Sequence, residues 1–118
     1  MAFYTQADLL QEVLENLGVL AAGQTPEQED LARVEEKLPS IISLLSATEV
    51  VYIPDIENIP AEFFIPLSDC VTYHCKAKFG IVGDAAAAVD QDYQIALLSF
   101  RVMNRGRPTG EILKSDPF

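Results

Sequence analysis

Apolar residues recur along much of this chain at three- and four-residue intervals, the spacing that lines one face of an α-helix. Leu9, Leu10, Val13, Leu14 and Leu17 make the first stripe, with Gln11, Glu12, Glu15 and Asn16 on the other side. Thr5, with Asp8 three positions on, supplies a capping pair at its start. Gly18 can take the left-handed conformation that closes a helix, with Val19 as the apolar lock after it. A second helix is expected from Thr25-Pro26-Glu27-Gln28, which offers an N-cap, a proline in the first helical position and a Gln at the capping-box position. Glu27, Glu29 and Asp30 there suit the positive end of the helix dipole. Leu31, Val34, Leu38, Ile41, Ile42 and Leu45 continue the stripe. Pro39 interrupts it, which predicts a bent helix to about Ala47 or two pieces meeting at the proline.

The pattern then changes. Val50-Val51-Tyr52-Ile53-Pro54-Asp55-Ile56-Glu57-Asn58-Ile59-Pro60 combines two prolines, β-branched residues and acids, and reads as an extended excursion. It is too apolar for a plain surface loop, so it must lie on its own core or on a neighbour. A short turn carrying Phe63 and Phe64 leads to a third helix from about Ile65-Pro66, through Leu67, Cys70, Val71, His74, Cys75 and Phe79, that stops at Gly80. Gly83 and Asp84 cap a fourth, which opens with Ala85–Ala88 and runs through Val89, Tyr93, Ala96, Leu97, Phe100 and Met103 to about Arg105. The alanines would let it approach another backbone closely. Gly106, Pro108, Gly110 and Pro117 keep the remainder from being helical. The fold class is therefore all-α: a four-helix bundle core with an extended loop at about 48–60 and an extended C-terminal tail. Residues 1–105 form the helical domain and 106–118 the tail.

Composition narrows the function. A 118-residue chain suits one domain, and 49% hydrophobic with 22% charged residues is globular rather than disordered. Residues 1–60 hold eleven acids against Arg33 and Lys37, a net −9 of the chain's −10. The last eighteen residues reverse the sign, with Arg101, Arg105, Arg107 and Lys114 against Glu111 and Asp116. A protein that grips duplex DNA needs a basic stripe to displace phosphate counterions, and this balance argues against one. The apolar runs fall well short of a membrane span, and the first residues show neither a basic start nor an apolar signal core. The expected location is the cytosol or an assembly built there.

The materials for catalysis are few. The chain has one histidine and no tryptophan, no G-x-S-x-G turn and no phosphate-cradling loop, since Gly18–Gly23 lacks a following Lys-Ser/Thr pair. Asp55 and Glu57 sit beside prolines and read as solvated or capping groups. Asp90 and Asp92, two apart on a helix, face apart. Cys70 and Cys75 are five apart, a spacing that suits neither a local disulfide nor a paired metal site, and they read as buried small hydrophobes. His74, on an apolar helix face, reads as a core or interface histidine. The expectation is a binding protein, not an enzyme, with no metal and no cofactor.

Three stretches in order and spacing resemble the head-to-tail adaptor (connector, or tail accessory factor) proteins of tailed bacteriophages. They are Leu17-Gly18-Val19-Leu20-Ala21-Ala22-Gly23-Gln24-Thr25-Pro26, then Val51-Tyr52-Ile53-Pro54-Asp55 leading to Ile59-Pro60 and Phe63–Phe64, then Gly106-Arg107-Pro108-Thr109-Gly110-Glu111 with Phe118. Pro39, inside the long second helix, departs from the family pattern. The resemblance implies a ring of about twelve copies under the portal protein, at the head–tail junction of a virion assembled in host cytoplasm. It implies a C-terminal tail docked on the portal and a tail or nozzle protein on the opposite side. DNA would pass through the lumen without specific binding, repelled by acidic residues. On that reading Val51, Tyr52, Ile53, Ile56 and Ile59 form the subunit interface. The tail from Arg105, with Arg107, Ile112, Leu113, Lys114 and Phe118, holds too few apolar residues to fix itself to the body and folds only on the portal. The alternative is an acidic soluble regulator that mimics DNA or blocks a basic partner.

Overall fold

In the computed structural model, which describes residues 3–21 and 23–105, Thr5 opens the first helix in the manner its spacing to Asp8 suggests. Its hydroxyl accepts from the Asp8 amide at 3.2 Å, and the Asp8 carboxylate accepts from the Thr5 amide at 3.0 Å. This helix, α1, spans Gln6–Asn16 and buries Leu9, Leu10, Val13 and Leu14. Gly18, at φ +80°, turns the chain out of it. Val19 remains exposed, so the apolar lock is supplied by Leu20, which joins the core.

The second helix, α2, spans Gln28–Ala47 and starts later than the Thr25-Pro26 signal. Gln24 closes a separate turn in the connector, donating its amide to the Ala21 carbonyl at 3.0 Å and accepting from the Ala21 amide through its side chain at 3.2 Å. Thr25 and Pro26 follow that turn without joining α2, and Glu27 is the cap, without a side-chain bond. Pro39 does not split α2, which is a single helix. The proline lies on the exposed side, where water can serve the Glu35 carbonyl it leaves without a partner, while Val34, Leu38, Ile41 and Leu45 stay buried on either side of it.

The third helix, α3, spans Ala61–Cys75. It begins four residues before Ile65, so Phe63 and Phe64 belong to its first turn and not to a separate one. From that helical turn Phe63 meets Phe100, ring centroids 5.7 Å apart, and Phe64 stacks on Tyr4 at 4.0 Å. Ahead of α3, Phe3–Tyr4 (β1) pairs antiparallel with Ile59–Pro60 (β2), with Phe3 opposite Pro60 and Tyr4 opposite Ile59. Beyond Cys75 the chain tightens into a 3₁₀ turn over Lys76–Phe79 and reverses at Gly80, φ +69°. The fourth helix, α4, spans Gly83–Arg105.

The protein is all-α apart from that one strand pair, and α1, α2 and α4 all pack on α3. Accordingly α3 is buried on most sides, through Phe63, Phe64, Leu67, Cys70, Val71 and Cys75. Where α1 meets it, Ser68 and Thr72 are buried polar groups that donate to the Ile65 and Ser68 carbonyls at 2.8 and 2.7 Å, and the Asn16 amide donates to the Thr72 hydroxyl at 3.3 Å. Among the described residues no helix is long and apolar enough to cross a membrane. Phe100 is the largest fully buried side chain and the main contact of α4 with the start of α3. Its replacement by alanine is expected to lower unfolding free energy by about 4 kcal/mol, read as a shifted midpoint in urea denaturation at unchanged m.

Candidate functional site

The loop between α2 and α3 carries the residues that sequence reasoning assigned to a subunit interface, and the fold divides them. Val51, Ile53 and Ile59 are buried in the chain's own core, Ile56 is packed against it, and Tyr52 is 69% exposed. The expected role of Val51, Ile53 and Ile59 against a neighbour is therefore corrected. Extended backbone alternates its side chains, so Val51 and Ile53 point inward while Tyr52 and Pro54 point outward. The loop is tied down at both ends. Val50 donates to the Leu45 carbonyl at 2.9 Å and accepts from the Asn104 side chain at 2.9 Å, which fastens it to the end of α4. Asp55 accepts from the Asn58 side chain at 2.7 Å and from the Glu57 amide at 3.0 Å. These bonds hold its carboxyl below the ordinary value. Asp55 is thus a turn-forming residue, and Glu57 accepts from the Gln6 amide at 3.3 Å.

Between this loop, the start of α3 and the end of α4 lies an open groove of about 540 Å³, lined in part by Glu49, Val51, Tyr52, Glu62, Phe63 and Asn104. A second depression of about 300 Å³ shares Glu49 and Asn104 with it. Nothing in the sequence pattern signals this groove, because its walls come from three separated segments.

A second surface lies on α4. Its core face carries Val89, Ala96 and Phe100, with Tyr93, Leu97 and Met103 packed beside them. On the opposite side Ile95, Leu98 and Val102 stand 54%, 54% and 56% exposed. Their i, i+3, i+7 spacing is visible in the sequence, though the core stripe beside it draws the eye first. Ala85, Ala87 and Ala88 are exposed rather than pressed on another helix, so the close approach expected of them does not occur within the subunit. Arg105, the one residue of the expected docking tail that is described, is exposed at the end of α4. Arg107, Ile112, Leu113, Lys114 and Phe118 lie outside the described residues.

Several titratable groups have structural partners. Asp90 pairs with Lys76, whose ammonium also sits 4.6 Å from the Tyr73 ring centre. Tyr73 stacks on Tyr93 at 3.8 Å, and His74 meets both rings edge-on at 5.1 and 5.7 Å. Burial lowers the His74 pKa, so the ring is neutral at pH 7. Burial pushes the Cys70 thiol up to about 12 and raises that of Cys75, which keeps both as unreactive thiols. Among the described residues no three His, Cys, Asp or Glu side chains gather in a metal-holding arrangement. Comparison with protein-family models, with curated proteins and with solved structures found no match.

Two outcomes test this description. I53S is expected to lower stability by about 3 kcal/mol, because it opens the core and buries a hydroxyl. Y52S should leave the unfolding midpoint within about 0.5 kcal/mol of the parent, since its side chain is exposed.

A third outcome concerns Asp69, raised to about 6 by burial first, then by Asp92 and Glu12. Its folded-state pKa lies above the unfolded value of 3.8, so the unfolded chain binds fewer protons in that interval and stability falls as pH rises through it. D69N should therefore be more heat-stable than the parent at pH 7.5. That advantage should shrink as pH falls through 6 and vanish near pH 4, as measured by paired thermal melts.

Proposed function

We propose that this chain is a ring-forming head-to-tail adaptor of a tailed bacteriophage. It sits under the portal, extends the DNA channel and offers the tail its attachment surface. The role is structural, with no catalytic group and no cofactor. The observation that carries the reading is α4, a helix apolar on two opposite sides in a subunit that covers only one of them. A helix with Val89, Ala96 and Phe100 on the core and Ile95, Leu98 and Val102 on the outside has a second face for a second partner. The same patch repeated on every copy, meeting a different patch on the next, builds a closed ring when the rotation closes. Tyr52, on the loop, adds an exposed aromatic of the kind enriched at interfaces.

The charge distribution supports the same reading. The acids of α1, α2 and the following loop give residues 1–60 their −9, a surface that repels phosphate and suits a conduit for DNA. That acidity also serves the rival reading, a soluble regulator that occupies the basic site of a partner. Self-assembly separates the two, because a regulator needs no second apolar face on α4.

Negative-stain electron microscopy of the purified protein mixed with portal rings is the deciding experiment. Rings of about twelve copies stacked on portals are expected, and L98E should weaken that assembly at least about tenfold with an unchanged helical circular-dichroism spectrum. A parent chain that stays monomeric or dimeric and never joins a portal would overturn the adaptor reading.

A further inference from the structure

Glu49 is the one described non-glycine residue with a positive φ, +60°. It follows Thr48, the C-cap of α2, and occupies the position where a helix ending of this type strongly favours glycine. Glu49 donates to the Ser46 carbonyl at 3.0 Å and Val50 to the Leu45 carbonyl at 2.9 Å, the two bonds that define this ending. A side chain in this conformation strains the backbone, and glycine would relieve it. Glu49 lines the groove between the loop, α3 and α4, together with Glu62. Among the described residues neither has an ion-pair partner.

Arg105 ends α4 beside this groove, since Asn104, one residue earlier, is part of its wall. Residues 107–118 are net neutral, with Glu111 and Asp116 balancing Arg107 and Lys114, so the match is one of individual groups: Arg107 and Lys114 can face Glu49 and Glu62, while Ile112, Leu113 and Phe118 match Val51, Tyr52 and Phe63. Arg107 is three residues from Asn104, within ~10 Å along an extended chain, and residues 106–118 span up to ~40 Å. A segment tethered at the rim of its own site has a local concentration in the millimolar range, so a weak match suffices. The volume, about 540 Å³, falls in the range of ligand-sized clefts.

We infer that the groove is the docking site of residues 107–118 of the same chain in the free subunit, with Glu49 kept at a glycine position because its carboxylate holds the basic residues of that segment. This differs from the expectation that the tail has no place on the body. The inference stands apart from the adaptor reading. If both hold, a portal competes with the groove for the same residues.

The chain has no tryptophan, so Y52W places a single reporter in the groove wall of the full-length protein. Acrylamide quenching of that indole should rise at least about twofold when I112S, L113S and F118S are added together, and the protection in the parent should not change on dilution. E49G should raise quenching similarly while moving the thermal midpoint upward by about 4 °C, because the glycine relieves the backbone as it removes the carboxylate. Equal quenching in the parent and the triple tail variant would overturn the inference. So would protection that disappears on dilution, which assigns the groove to a tail from another copy.

Discussion

Burial of α3 on most of its sides is the constraint from which the other contacts follow. A helix that shows Phe63, Phe64, Leu67, Cys70, Val71 and Cys75 to its surroundings needs partners in several directions, and α1, α2 and α4 provide them. The same demand explains the β1–β2 pair. It brings Tyr4 over Phe64 and closes the core at Ile59, just ahead of the start of α3. Polar groups caught in this interior bond locally, as Ser68 and Thr72 do to carbonyls of their own helix. Burial first, and then the nearby Asp92 and Glu12, raise the proton affinity of Asp69.

Because α3 takes up the core faces of its three partners, their outer faces are left to set behaviour in solution. On α2 that face is acidic and carries Pro39 at little consequence to the helix. On α4 it is apolar at Ile95, Leu98 and Val102, which stand exposed. The loop from Val50 to Ile59 spends most of its apolar content on the subunit itself and leaves Tyr52 outside the core.

Much of this was legible from residue spacing. Thr5 and Asp8 closed a capping pair, Gly18 and Gly80 turned the chain in the left-handed region, and the helical stripes carried the residues that now fill the core. These are local effects, decided within one or two helical turns, so neighbouring residues suffice to determine them. Local signals misplaced two helix starts: α2 begins at Gln28 with Glu27 as its cap rather than at Thr25-Pro26, and Pro66 looked like a helix start although Pro60 was the cap.

The sequence by itself determined the helical class, the acid-rich first half and the scarcity of reactive groups, because each is a property of composition or short-range periodicity. Tertiary structure decided which apolar residues were already satisfied and which were not. Ile53 and Tyr52 are adjacent in a segment equally apolar to the eye, yet alternation of extended backbone sends one into the core and the other into solvent. It also decided the groove, since Glu49, Glu62 and Asn104 meet only when α2, α3 and α4 have packed. Their proximity is a consequence of long-range contacts, which no pattern within a single segment encodes.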